Sequence, residues 1–231
     1  MKYLAPLIIL SIWFLPGPIS GGGVQEEQES LARAQKEALK PLETILSRYR
    51  RRSPVQIQLT KEVHQELLNR TQSSEGHLTL GSGRLRLELG APDNSLLVHD
   101  GSLIWLAQEI DGFSGPITQV TKIRPDRLGP AATLLSALFE RPDLGQDFEL
   151  VEKSEIEGGE KAFSLRPRTQ TDVVSLRLVL NPEKKLITQV SFKDDLNNET
   201  RYLFGRTQFS ARVKRGHFEY KPPEGAEVTE Y

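Results

Sequence analysis

Cysteine is absent from all 231 residues. Its absence excludes a disulfide framework, thiolate metal sites and a lipid-modified cysteine anchor together, so the fold must be held by core packing. Charge of one sign is not in excess either: 30 Lys and Arg stand against 31 Asp and Glu, a formal net charge of −1. Such a balance leaves no electrostatic footprint for nucleic acid. Catalytic signatures are missing as well. His64, His77, His99 and His217 are scattered, none in a His-Glu-x-x-His spacing, and neither a Gly-x-Ser-x-Gly elbow nor a Gly-Lys-Ser/Thr phosphate loop occurs. The chain reads as a binding protein that is not an enzyme and needs no cofactor or metal.

Long hydrophobic runs are scarce, and the one present is terminal. Met1-Lys2 precedes the apolar stretch from Leu4 to Leu15, and small residues fill Pro16 to Gly23. This is the pattern of a secretory signal peptide, too short for a comfortable membrane span, with small-x-small residues Ser20 and Gly22 placing cleavage near Gly22. Residues 1–22 are therefore expected to be removed on export, and 23–231 to form one domain.

The next segment is amphipathic. Leu31, Ala34, Ala38, Leu42, Ile45 and Tyr49 recur at helical spacing, predicting a helix over Gln25–Arg52 with a kink or restart at Pro41. Its end, Arg48-Tyr49-Arg50-Arg51-Arg52, suits the negative pole of a helix, and could also meet anionic lipid or an acidic partner. The period then becomes two. Val55, Ile57, Leu59 and Val63 alternate with polar residues, and similar runs occur at 78–80, 84–89, 95–99, 103–107, 117–123, 148–153, 162–166, 173–180, 186–193, 200–204 and 217–220. Gly81-Ser82-Gly83, Pro92-Asp93-Asn94, Gly158-Gly159, Asn181-Pro182 and Asp194–Asn198 read as turns. Asp100-Gly101 joins two of the runs into a hairpin that carries Trp105. Short connectors predict antiparallel neighbours in a sandwich, a barrel or one strongly curved sheet.

One helix interrupts the strands. Pro130–Glu140 opens on proline and gathers Leu134, Leu135, Leu138 and Phe139 on one face. With the N-terminal helix it offers apolar cover to a concave sheet, enclosing a cavity suited to hydrocarbon. The candidate lipid-binding lining is Leu85, Leu87, Leu96, Val98, Trp105, Val120, Leu134, Leu135, Leu138 and Phe139. For any one of these alone, ordinary core packing is the stronger reading; only a surplus of lining over filling separates the two. His99 beside Asp100 flanks a turn, where aspartate serves conformation, and Asp194–Glu199 lacks the glycine of a calcium loop and reads as a hairpin turn.

The order Asp100-Gly101-x-x-Ile104-Trp105, Gln119-Val120, Pro130-Ala131 into Leu134-Leu135, and Phe218-x-Tyr220-x-Pro222-Pro223-x-Gly225-x-x-Val228 resembles the LolA family of periplasmic outer-membrane lipoprotein carriers. Gly76 falls where those proteins also carry a glycine. The resemblance runs from about Leu42 onward. It implies a mainly β fold, an unclosed antiparallel barrel or strongly curved sheet covered by an N-terminal helix and a mid-chain helical lid. It also implies a monomer in the periplasm of a Gram-negative bacterium. Such a protein would take acylated lipoproteins from an inner-membrane ATP-driven transporter of the ABC type and hand them to an outer-membrane acceptor. One departure stands out. Where the family usually has an Arg-Pro pair whose arginine helps hold the lid closed, this chain reads Ser82-Gly83, with Arg84 and Arg86 nearby.

Physics constrains any such carrier. Each methylene left in water costs ~0.8 kcal/mol, so three acyl chains would carry roughly 30 kcal/mol of exposure between membranes. A pocket that hid them permanently would never release them, so helix and cargo must compete for one surface. The other reading of the same curved sheet is a periplasmic sensor that binds a partner protein or a lipid signal, or a carrier of a lipid other than a lipoprotein.

Overall fold

The computed structural model describes residues 22–112, 115–124, 139, 144–168 and 173–230. Residues 1–21 of the expected signal peptide and residues 130–138 and 140 of the expected lid, Leu134, Leu135 and Leu138 among them, lie outside the described residues. Two compact units divide the chain. In the first, Met1–Ala34, the described part is the start of helix α1 (Gly22–Arg51). The second, Gln35–Tyr231, holds the remainder of α1 and all the strands.

These strands are β1 (Val55–Gln65), β2 (Arg70–Gly81), β3 (Arg84–Leu89), β4 (Ser95–His99), β5 (Ile104–Gly112) and β6 (Gly115–Ile123). After a short helix, α2 (Leu144–Asp147), come β7 (Phe148–Ile156), β8 (Glu160–Pro167), β9 (Val173–Asn181), β10 (Leu186–Asp194), β11 (Glu199–Phe209) and β12 (Glu227–Glu230). They form one curved sheet in the order β12-β6-β5-β4-β3-β2-β1-β11-β10-β9-β8-β7. Its terminal strands β12 and β7 do not pair, so the sheet is unclosed.

Strand register sorts the side chains onto two faces, because partners directly opposite in a ladder point the same way. On one face Val55, Leu80, Leu85 and His99 form a row, and Ile57, Leu78, Leu87 and Leu97 form the next. Farther along the same face, Tyr202, Val190 and Leu178 align with Phe163. This inner face is covered by α1, whose Leu39, Leu42, Ile45, Leu46 and Tyr49 are buried in one continuous cluster with it. At about 1.5–3 kcal/mol for each fully buried large side chain, this contact is what fixes the C-terminal half of α1.

Several expectations are corrected. α1 runs through Pro41 without a break; Leu39 and Leu42 on either side are both buried, and that packing outweighs the lost backbone donor. The run 217–220 is a turn rather than a strand, because it crosses the sheet instead of joining its ladder. The last strand is instead β12, and it pairs with β6 in parallel, the exception among otherwise antiparallel ladders. The Asp100-Gly101 turn is a four-residue loop between the paired His99 and Ile104. Gly101 takes φ +103°, while the Asp100 carboxylate accepts the amides of Ser102 and Leu103 at 2.8 Å.

Candidate functional site

Aromatic side chains gather where α1 meets the inner face. Tyr49 lies 5.4 Å from the ring of Phe139 and 5.1 Å from that of Phe209, and Phe139 stacks on Phe204 at 6.4 Å. Phe139 comes from the segment expected to be the lid, has helical conformation and is buried. Beside it a cavity of about 170 Å³ is bounded by Tyr49, Arg50, Leu80, Leu85, Phe139 and the turn 81–84. Drug-sized ligands occupy roughly 300–1,000 Å³. Among the described residues, side chains of α1 and Phe139 pack into one cluster with the inner face, and this small cavity lies at its rim.

The end of α1, which its sequence pattern leaves to solvent, is tied down by polar contacts. The Arg48 guanidinium donates to the carbonyls of Lys184 and Lys185, both at 2.9 Å, and lies 4.3 Å over the Phe209 ring. The Tyr49 hydroxyl accepts the Ile187 amide at 3.1 Å, and burial holds its phenol above the ordinary value despite that bond. At the start of the second unit, Arg168 donates to Gln35 at 3.0 Å and to the Gly145 carbonyl at 2.9 Å. No local pattern in the sequence could have revealed these pairings across the fold.

The ten candidate lining residues fall into three groups. Leu85, Leu87 and Phe139 share the inner face and its cluster. Leu96, Val98, Trp105 and Val120 belong to the opposite face: Val98 pairs with Arg86 and Trp105, and Leu96 with Glu88 and Ala107, which in turn pairs with Val120. Leu134, Leu135 and Leu138 lie outside the described residues. The outer group is apolar because it too is covered. Between β11 and β12 the chain crosses the outer face as a strap. Phe218 is buried in it, Arg86 donates to the His217 carbonyl at 3.4 Å, and the Tyr220 ring sits 5.8 Å from Trp105.

A sequence model of the family described as "Outer membrane lipoprotein carrier protein LolA" matches residues 53–221, well over half of the chain. The chain belongs to the LolA family. An outer-membrane lipoprotein carrier protein of Coxiella burnetii is 25% identical over 199 residues, covering 84% of this chain and 88% of that protein. One from Azotobacter vinelandii is 25% identical over 158 residues, covering 68% and 72%. Among solved structures, a LolA superfamily protein from Nitrosomonas europaea aligns over 79% of this chain and 97% of its own, with 11% identity and a TM-score of 0.42. An uncharacterized conserved protein from Thermus thermophilus covers 81% and 98%, with 13% identity and a TM-score of 0.46.

In this LolA-family chain the two arginines near the departed Arg-Pro position, Arg84 and Arg86, lie on the sheet face opposite the one that α1 covers. Arg84 lies 4.9 Å over the Phe218 ring, and Arg86 bridges the strap and the Glu88 carboxylate at 2.8 Å. That bond is the main reason the Glu88 carboxyl titrates below its ordinary range. Both arginines hold the strap. The polar contacts at the end of the helical cover come instead from Arg48 and Tyr49. Gly76 faces inward between Leu59 and Leu89, where a Cβ would stand 2.1 Å from the Glu88 carbonyl oxygen, so β2 and β3 approach there as only glycine permits.

Proposed function

We propose that this protein is an exported, non-enzymatic, monomeric carrier that hides the acyl chains of lipoproteins between the inner sheet face and its helical cover. It would receive them in the periplasm from an inner-membrane ATP-driven transporter and yield them to an outer-membrane acceptor. The observation that carries this reading is the nature of the cover. An unclosed sheet presents an apolar face that is filled by helical side chains, Tyr49 and Phe139 at its rim, rather than by a second sheet. Helices attached through side-chain contacts can leave a face that backbone ladders could not. Membership in the lipoprotein-carrier family supports the choice of cargo.

In this mechanism no bond is made or broken. Leu85, Leu87 and Phe139, with Leu134, Leu135 and Leu138 of the cover, are the proposed acyl-contacting set. Leu96, Val98, Trp105 and Val120 stabilise the same wall from behind. When cargo enters, methylenes replace helical side chains against the sheet, so burial is exchanged rather than gained and release stays accessible. The experiment is to delipidate the purified protein and add an acylated peptide, with mass spectrometry of co-purified lipid beforehand. Stable uptake and a diacyl or triacyl species in the extract are expected. Protein that takes up no acylated peptide overturns the reading. Leu135→Asp is expected to abolish uptake while the far-ultraviolet circular dichroism of the sheet is retained.

A further inference from the structure

Among the described residues, the two most exposed large apolar side chains, Leu67 and Leu68, stand together on one turn. The β1–β2 hairpin outruns β3: β2 pairs with β3 only over Gly76–Gly81, so Arg70–Glu75 extends past that ladder by roughly 20 Å. At its apex stand Leu67 and Leu68, 84% and 68% exposed. The neighbouring β10–β11 turn ends at the same height, since His64 pairs with Glu199, and there Leu196 is 59% exposed. The two apices are joined, the Glu66 amide donating to the Asn198 side-chain oxygen at 3.1 Å. Both turns are internally fixed. The Asn69 amide donates to the Glu66 carbonyl, and the Asp194 carboxylate accepts the amides of Leu196 and Asn198. Three leucines are thus held outward on rigid backbone, where polar turn residues would cost nothing.

We infer that Leu67, Leu68 and Leu196 form a tip that inserts into the interfacial layer of a phospholipid bilayer. The shape favours lipid over protein. Two narrow apices provide neither groove nor flat face, and a stable protein interface takes about 800 Å² from each partner. A bilayer interface accepts convex apolar knobs without complementary relief. The charges set the mode: Glu66, Asp194, Asp195 and Glu199 outnumber Arg70 and Lys193 around the apices, so insertion rests on the leucines and not on attraction to an anionic surface. The base of the projection is stiffened by Lys61 and Asp93, paired at 2.6 Å, and by the Asp93 amide donating to Ser74. The purpose of the tip rests on the carrier reading: it would place a protein loaded with acyl chains at the surface where they must be delivered.

The test uses vesicles of phosphatidylethanolamine with a minor share of phosphatidylglycerol. Because the chain has no cysteine, Leu68→Cys can carry a single polarity-sensitive fluorophore. Its emission is expected to move to shorter wavelength on adding vesicles, while the same label at Val151→Cys on β7 does not shift. The triple variant Leu67→Ser, Leu68→Ser, Leu196→Ser is expected to lose vesicle co-sedimentation roughly tenfold and to take up acylated peptide in solution as the unaltered protein does. An unshifted Leu68→Cys label, or a triple variant that co-sediments undiminished, overturns the tip. If neither protein takes up acylated peptide but the vesicle difference persists, the tip stands and the carrier reading falls.

Discussion

Tyr49 shows how much one side chain decides here. Its ring is buried among Phe139 and Phe209, and its hydroxyl answers the Ile187 amide, so Tyr49→Phe keeps the shape and strands a buried donor. The expected loss is about 1–3 kcal/mol, read as a lower urea midpoint with unchanged slope. Gly76 is the backbone counterpart. In Gly76→Ala the new methyl meets a carbonyl oxygen, not a movable side chain, and a loss of about 1–3 kcal/mol by thermal unfolding is expected. Single residues are legible from the sequence where their job is local. Asp100 reads as a turn residue, and its carboxyl, opposed by burial yet held down by the amides of Leu103 and Ser102, serves that turn. Tyr49 is legible as part of an apolar stripe but not as a hydrogen-bond acceptor, since its partner lies in a hairpin far along the chain.

The strap over the outer face is the element whose sequence pattern misleads. Phe218-x-Tyr220 has the alternation of a strand, but Phe218 packs against Gly81 and Tyr220 against Trp105, so the period reports two anchoring points on a crossing segment. Phe218→Ala is expected to cost about 3–5 kcal/mol by chemical denaturation, because a buried ring is removed beside a glycine that cannot fill the space. The strap is also sensitive to acid. The His217 ring is flanked by Arg86 and Glu88, with His77 and Arg206 lining the same groove. Burial, then Arg86, hold its pKa below the ordinary imidazole value, with Glu88 opposing them. The folded state therefore binds this proton less readily than the unfolded chain. Its contribution is complete above the unfolded pKa of about 6.5 and is lost as pH falls below that value toward the folded one. A lower Tm at about pH 5.5 than at about pH 7.5 is expected, with part of the difference missing in His217→Gln.

For the molecule as a whole, the open sheet makes its two ends unequal. β12 is exposed along its length and, among the described residues, pairs only with β6, aided by Lys122 and Glu230 at 2.8 Å. Removing residues 227–231 is expected to lower Tm by less than about 3 °C with unfolding still cooperative, because little apolar surface is uncovered. The inner face differs: its filling is the helical cover itself, and the proposed exchange of cover for cargo uses that difference. A carrier of the proposed kind needs a wall that survives the loss of its plug, and the strap packs on the face of that wall opposite α1.

Alternation of side chains and turn chemistry are properties of neighbouring residues, so β1, β3, β4 and β10 could be placed from the chain alone. The same holds for the hairpin turns and the amphipathic character of α1. Which face of a strand turns toward the helices is not local. Leu85 and Leu87 look the same in sequence as Leu96 and Val98, and both pairs lie in apolar surroundings. Only the route of the chain after Phe209, over the outer face and down to β12, made one set the helix-covered wall and the other the bed of the strap. Periodicity establishes that two faces exist; long-range packing decides what each of them meets.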